Sequence, residues 1–264
     1  MANVDSSCIQ NAGDPYDIGW RISSDAPHVP GLCVDATKIR PVRVLSSEGD
    51  SYSVTNFFHD GEFWNARFLK SDVSAVSVMS SRIADDVQFI NVIHIQTRFY
   101  LRHGVQLSRP STGEPGPLLE SLVISWEPAY PAQGVYNHLT TFFRNYPLVG
   151  RMISAGEPMA AEEHSQKKVV RSSTNEVRLL LDAPVAHRLL ENHISESERR
   201  QLDLAYLLVR RNCATSLFDI LDATLTQVNW PHLAPRFRTG LTSDPIAGPT
   251  ERALKARHLV PPRG

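Results

Sequence analysis

Cysteine is scarce: the 264 residues hold three, Cys8, Cys33 and Cys213, and no two form a CxxC pair. That scarcity excludes a disulfide framework and a zinc site of four close thiolates, so each thiol has to be explained singly. Net charge is almost absent too, 27 basic residues standing against 28 acidic ones for a formal charge of -1. A chain so balanced carries no global field to recruit nucleic acid or an anionic membrane surface, and no nucleic-acid partner is expected. No stretch approaches the roughly 18 apolar residues that a membrane-crossing helix needs, and residues 1–10 lack the basic start and apolar stretch of a signal peptide. The expectation is a soluble chain with no transmembrane segment and no export signal. No cofactor or metal is implied.

What is present organises into one principal domain with flanking segments. Residues 1–38, rich in Ser, Asp, Gly and Pro, read as an irregular arm; 39–239 as the domain; and 240–264 as a tail with a short basic helix around 251–258. Within the domain, VSAVSV at 73–78 alternates at the strand period. QFINVIHIQTRFYLRHGVQL at 88–107 reads as two strand segments or one long bent strand. A Pro- and Gly-dense loop at 108–117 precedes a strand at 122–126. Helical spacing at 135–146 is followed by strands at 148–154 and 176–181. Asp182 can cap a short helix that has Pro184 in its first turn. Ser195 and Glu198, in capping-box spacing, predict a second helix running through Leu208. A third is predicted behind Asn212, with Ala214, Leu217, Phe218, Ile220, Leu221 and Leu225 as its apolar stripe.

Cys213 falls in the first turn of that last helix. A thiol becomes a nucleophile as thiolate, and a helix N-terminus favours the anion through its unpaired N–H groups and dipole. Arg210 and Arg211 either add positive potential or are the solvated last turn of the preceding helix. The plain alternative for Cys213 is a small buried hydrophobe. Cysteine acyl chemistry also needs a base. His94 is the candidate because it sits in the most apolar strand, VIHIQTRF, where an imidazole has to find a partner or line a cleft; a core histidine bonded to backbone is the alternative. His59, His138, His164, His187 and His193 read as solvent-facing, and His103, beside Gly104, as a turn residue. Glu127, at the end of LVISWE, is the candidate to orient His94, with a surface carboxylate as the alternative reading and Ser125 or Asn91 as other possible partners.

Taken in order, several blocks resemble the bacterial lipoprotein N-acyltransferase (Lnb-like) domain family. They are FWNARFLKSDVSAVSV at 63–78, HIQTRFYLRHG from His94, Ser125 to Glu127 in VISWEP, FFRNYPLVGRMISAGE at 142–157, and YLLVRRNCATSLFDILD at 206–222. The resemblance spans roughly 39–225. It departs from the family in an insertion at 108–121, in Pro128 and Ala129 where a basic residue follows Ser-x-Glu, and in lacking the transmembrane helices. It implies an α+β fold, an antiparallel sheet packed against helices, of the permuted papain-like (NlpC/P60-type) kind. Cys213, His94 and Glu127 would be the catalytic residues, passing a fatty acyl group through a thioester on Cys213. The implied partner is a lipid or lipoprotein substrate, and the implied compartment is the bacterial periplasm or envelope. A cysteine amidase or peptidase, of cell-wall or effector type, and a non-catalytic binding module on the same scaffold are the alternatives.

Overall fold

The computed structural model describes residues 9–10, 34–37, 39–83, 92–129, 146–157, 171–200, 205–206, 212–235 and 248–261. Two short parallel strands, β1 (Ile9–Gln10) and β2 (Val34–Asp35), stand apart from a nine-stranded sheet. That sheet comprises β3 (Arg43–Glu48), β4 (Ser51–His59), β5 (Glu62–Leu69), β6 (Val73–Ile83), β7 (Val92–Ser108), β8 (Pro115–Pro128), β9 (Tyr146–Ile153), β10 (Arg171–Arg178) and β11 (Ala205–Tyr206). Its helices are α1 (Ala183–Arg200), α2 (Cys213–Gln227) and α3 (Gly248–Ala256). The protein is thus α+β and rich in sheet.

Alternation makes the strands. In β4 the even positions Tyr52 and Val54 are buried while Ser51 and Ser53 are less so, the period of a half-buried strand. Asn56, in the left-handed region at φ 66°, then shifts the register, and Phe57 and Phe58 are both buried. Its side-chain amide donates to Pro41 O at 2.9 Å, which supports the bulge. The β7 segment is one bent strand of 17 residues. The bend falls at Gly104, whose φ of 79° suits glycine and where a Cβ would lie 2.6 Å from Leu119 O. His103 therefore lies within a bulged strand, not in a turn, and its exposed ring meets Asp72 at 2.8 Å.

The bend lets β6 and then β5 share one edge of β7 while β8 follows the other. With β5 on β4, β4 parallel to β9, and β9 on β8, the strands β7, β5, β4, β9 and β8 close into a barrel-like ring. Its inner residues, among them Phe99, Leu107, Leu122, Ile124, Trp126, Leu148 and Met152, form one core with α1 and α2. Closing a sheet on itself removes unpaired edges and gives this α+β chain its packed centre.

Helix boundaries differ from expectation most clearly within α1. Asp182 Oδ1 caps α1 by accepting from Val185 N at 3.0 Å, as its residue type predicts. Ser195 starts nothing, because α1 runs straight through it to Arg200. Glu196 pairs with Arg199 and Arg200 across one turn, and Ser197 turns inward to donate to Gly150 O at 2.6 Å, so the segment favours continuation over a new cap. Ala205–Tyr206 is then a strand on β9. The strand expected at 176–181 lies earlier, at Arg171–Arg178, and the loop after Ser108 closes by Pro115. The helix expected at 135–146 lies, up to 145, outside the described residues, and Tyr146 opens β9.

Within the expected tail, α3 docks on α2. Arg257, buried, makes a two-pronged pair with Asp222 at 2.6 and 2.7 Å, and Leu254, Leu259 and Val260 join the core. His193 is not solvent-facing but wholly buried; Trp126 Nε1 donates to its Nδ1 at 3.3 Å and burial pushes its pKa down to about 3. Among the described residues no helix is long and apolar enough to cross a membrane.

Candidate active site

Pleat and register assemble the site. Along β7 the side chains of His94, Gln96 and Arg98 share one face, while Ile95, Thr97 and Phe99 share the other, which α1 covers through His193. Gln96 stands opposite Ser125, and Ser125 stands opposite Arg151 on β9. Continuing the same register one step places His94 level with Glu127. Four polar side chains from three strands thus converge on one face, each at most 4% exposed.

They form a directed hydrogen-bond chain. Ser125 Oγ donates to Glu127 Oε1 at 2.6 Å, and His94 Nε2 lies 2.8 Å from the same hydroxyl and 3.8 Å from the carboxylate. Arg151 Nη1 donates to Glu127 Oε2 at 2.8 Å, a buried ion pair. A hydroxyl has one proton to give, and Ser125 gives it to Glu127. It therefore accepts from His94, which must carry its ring proton on Nε2. In the neutral imidazole, Nδ1 is then the basic nitrogen. Ser125, anticipated only as an alternative partner of His94, is the bridge between His94 and Glu127.

Cys213 opens α2 as expected from its sequence context. Asn212 is the N-cap, its side chain accepting from Thr215 N at 3.0 Å while Thr215 Oγ1 accepts from Asn212 N at 2.8 Å. That cap occupies the third helical N–H and leaves the first two near the thiol. The β7–β8 ladder ends at Gln96 and Ser125, one residue short of Ile95. There the backbone N–H groups of Ile95 and Ala214 both bond the Cys213 sulfur. The thiol thus abuts the backbone next to His94, and the charge of Glu127 reaches it.

Its electrostatics depart from the expectation set by helix position. Complete burial outweighs the three backbone N–H groups and, helped by the negative Glu127, pushes the Cys213 pKa up from the ordinary value near 9 to about 11. The resting group is a thiol. It needs a base to become a nucleophile.

Sequence reasoning passed over Arg151 and Gln96, which flank Ser125 across the sheet. Residue type alone carried no signal for either; strand register was needed. Asn91, Arg210 and Arg211 lie outside the described residues. Comparison of the chain with protein-family models, with curated proteins and with solved structures finds no match.

Proposed function

We propose that the protein is a cysteine-dependent acyltransferase or acyl hydrolase working through a thioester on Cys213, on a permuted papain-like (NlpC/P60-type) arrangement of barrel and helix. The observation that carries this reading is the chain from Arg151 through Glu127 and Ser125 to His94, which fixes the proton on Nε2 beside the backbone that Cys213 touches.

The steps follow from those groups. His94 Nδ1 takes the Cys213 proton as the sulfur attacks the substrate carbonyl carbon, giving a tetrahedral oxyanion. The N–H groups at the start of α2 stabilise that oxyanion. Collapse breaks the carbon–oxygen bond of the ester, and the alcohol leaves with the proton from His94. An amine or water, deprotonated by His94, then attacks the thioester; the acyl group departs as amide or acid, and the thiol regains its proton. Throughout, Glu127 stabilises the imidazolium through Ser125, and Arg151 balances Glu127. The resemblance noted in the sequence favours a lipid or lipoprotein ester as acyl donor and an envelope location.

A groove of about 250 Å³ beside Gln96 favours a second substrate reading, a cysteine amidase or peptidase, because Gln96, Arg98, Glu157 and Glu176 make its lining polar. Intact-mass analysis separates the possibilities. Incubation with a short-chain p-nitrophenyl ester is expected to add one acyl group to the wild-type chain and none to Cys213→Ala. An unmodified wild-type chain, or an equally acylated Cys213→Ala chain, rejects the covalent reading in favour of a binding module.

A further inference from the structure

The same face of the sheet carries donors that no described residue uses. Gln96 Nε2, and Nε and Nη2 of Arg151, are buried and have no hydrogen-bond partner among the described residues. Gln96 is 7% exposed and Arg151 1%. A buried amide or guanidinium N–H without an acceptor has given up its hydrogen bond to water for nothing in return, so natural cores seldom keep one without a use.

Their placement is informative. Gln96 and Arg151 flank Ser125 in one row across β7, β8 and β9, and the next row along is Arg98, Val123 and Ile153. That second row, with Gln96, lines the groove. In the other direction the next row holds His94 and Glu127, about 7 Å along the strands. The groove therefore starts one row from the proposed base.

Charge selects what the donors would bind. Arg98 is paired with Glu176 at 3.3 Å and Arg151 with Glu127, and the rim carboxylate of Glu157 accepts from Asp60 N and Ser154 Oγ beside His59. Both arginine charges are thus already matched by a carboxylate, so they offer little attraction to a phosphate or carboxylate. A carbonyl oxygen on an uncharged or cationic molecule needs no such attraction.

We infer that this groove is a peptide-binding subsite in which Gln96, with Arg151 behind it, donates to backbone carbonyl oxygens, and that it presents a peptide amine or amide to Cys213. The binding claim stands on the groove; its link to Cys213 rests on the function proposed above.

The test is titration of the full chain with glycylglycinamide, followed by NMR on the Gln96 side-chain amide, with inorganic phosphate and acetate as anionic controls. Saturable shifts of the Gln96 amide protons with glycylglycinamide alone are expected. Gln96→Leu should weaken binding about tenfold or more, and should melt no lower than wild type because it removes an unsatisfied group. Absence of saturation, saturation by the anions instead, equal affinity in Gln96→Leu, or a lowered melting temperature in that variant each overturns the inference. Peptide binding without acyl adduct on Cys213 rejects only the catalytic reading; adduct without peptide binding rejects only this one.

Discussion

Ser125 is the residue on which the geometry turns, because its one proton decides the tautomer of His94. Ser125→Ala leaves His94 Nε2 and Glu127 facing across a gap, so the ring proton is no longer held on Nε2. The acylation rate of Cys213 is expected to drop by about 10²-fold or more, measured as the p-nitrophenol burst, while the melting temperature changes modestly. Substrate-free reactivity reports the thiol itself. With its pKa near 11, Cys213 should react with iodoacetamide far more slowly than a free thiol at pH 7, the rate rising roughly tenfold per pH unit to about pH 10. A plateau below pH 8 would show a thiolate that burial should forbid. At this scale much was legible: a capped helix start marked Cys213, and a polar residue in an apolar strand marked His94. The bridge and the counter-ion were not, because Ser125 and Arg151 acquire their roles only when β8 and β9 are aligned, and no local pattern encodes that alignment.

Among the elements, α1 packs tightly against β9 at Gly150. A Cβ on Gly150 would lie 2.8 Å from both Cβ and Oγ of Ser197 and 3.1 Å from Trp126, so the glycine is there for contact rather than for a turn. Gly150→Ala is expected to destabilise the fold by about 1–3 kcal/mol, read as a lower urea midpoint, and to displace the β9 strand that carries Arg151. An unchanged midpoint would mean that α1 can slide at no cost. Strand periodicity read 73–78, 122–126 and 148–154 as strands; the first two each lie within one, and the third overlaps β9, which ends at Ile153. The single α1 was misread as two helices because Ser195 and Glu198 sit at capping-box spacing, whereas the buried contact of Ser197 with Gly150, a long-range interaction, keeps the helix unbroken.

For the molecule as a whole, two fully buried titratable groups bound the pH range of stability. His193 is neutral in the fold with a pKa near 3 against an ordinary 6.5. Its contribution is complete above about pH 6.5 and is lost as pH falls towards 3, up to roughly 5 kcal/mol. Cys213 acts in the opposite sense: raised from near 9 to about 11, it contributes fully below pH 9 and loses up to roughly 3 kcal/mol as pH rises towards 11. Urea midpoints plotted against pH should therefore be flattest between about 6.5 and 9. His193→Gln should flatten the acid limb alone and Cys213→Ala the alkaline limb alone; a limb that survives its substitution belongs to other groups. The closed topology was the part least legible in the sequence, since it depends on Phe57 and Phe58 meeting Met152 and Ile153 in a parallel pairing far along the chain. That seam also sets a clock. Hairpins such as β4 with β5 need only a tight turn, but the ring cannot shut until the chain has travelled out through β8 and back, so the entropy of a very long loop is spent before the last pairing forms. Refolding should accordingly be slow, on the order of milliseconds to seconds, with the amides of β9 gaining protection from hydrogen exchange after those of the β4–β5 hairpin.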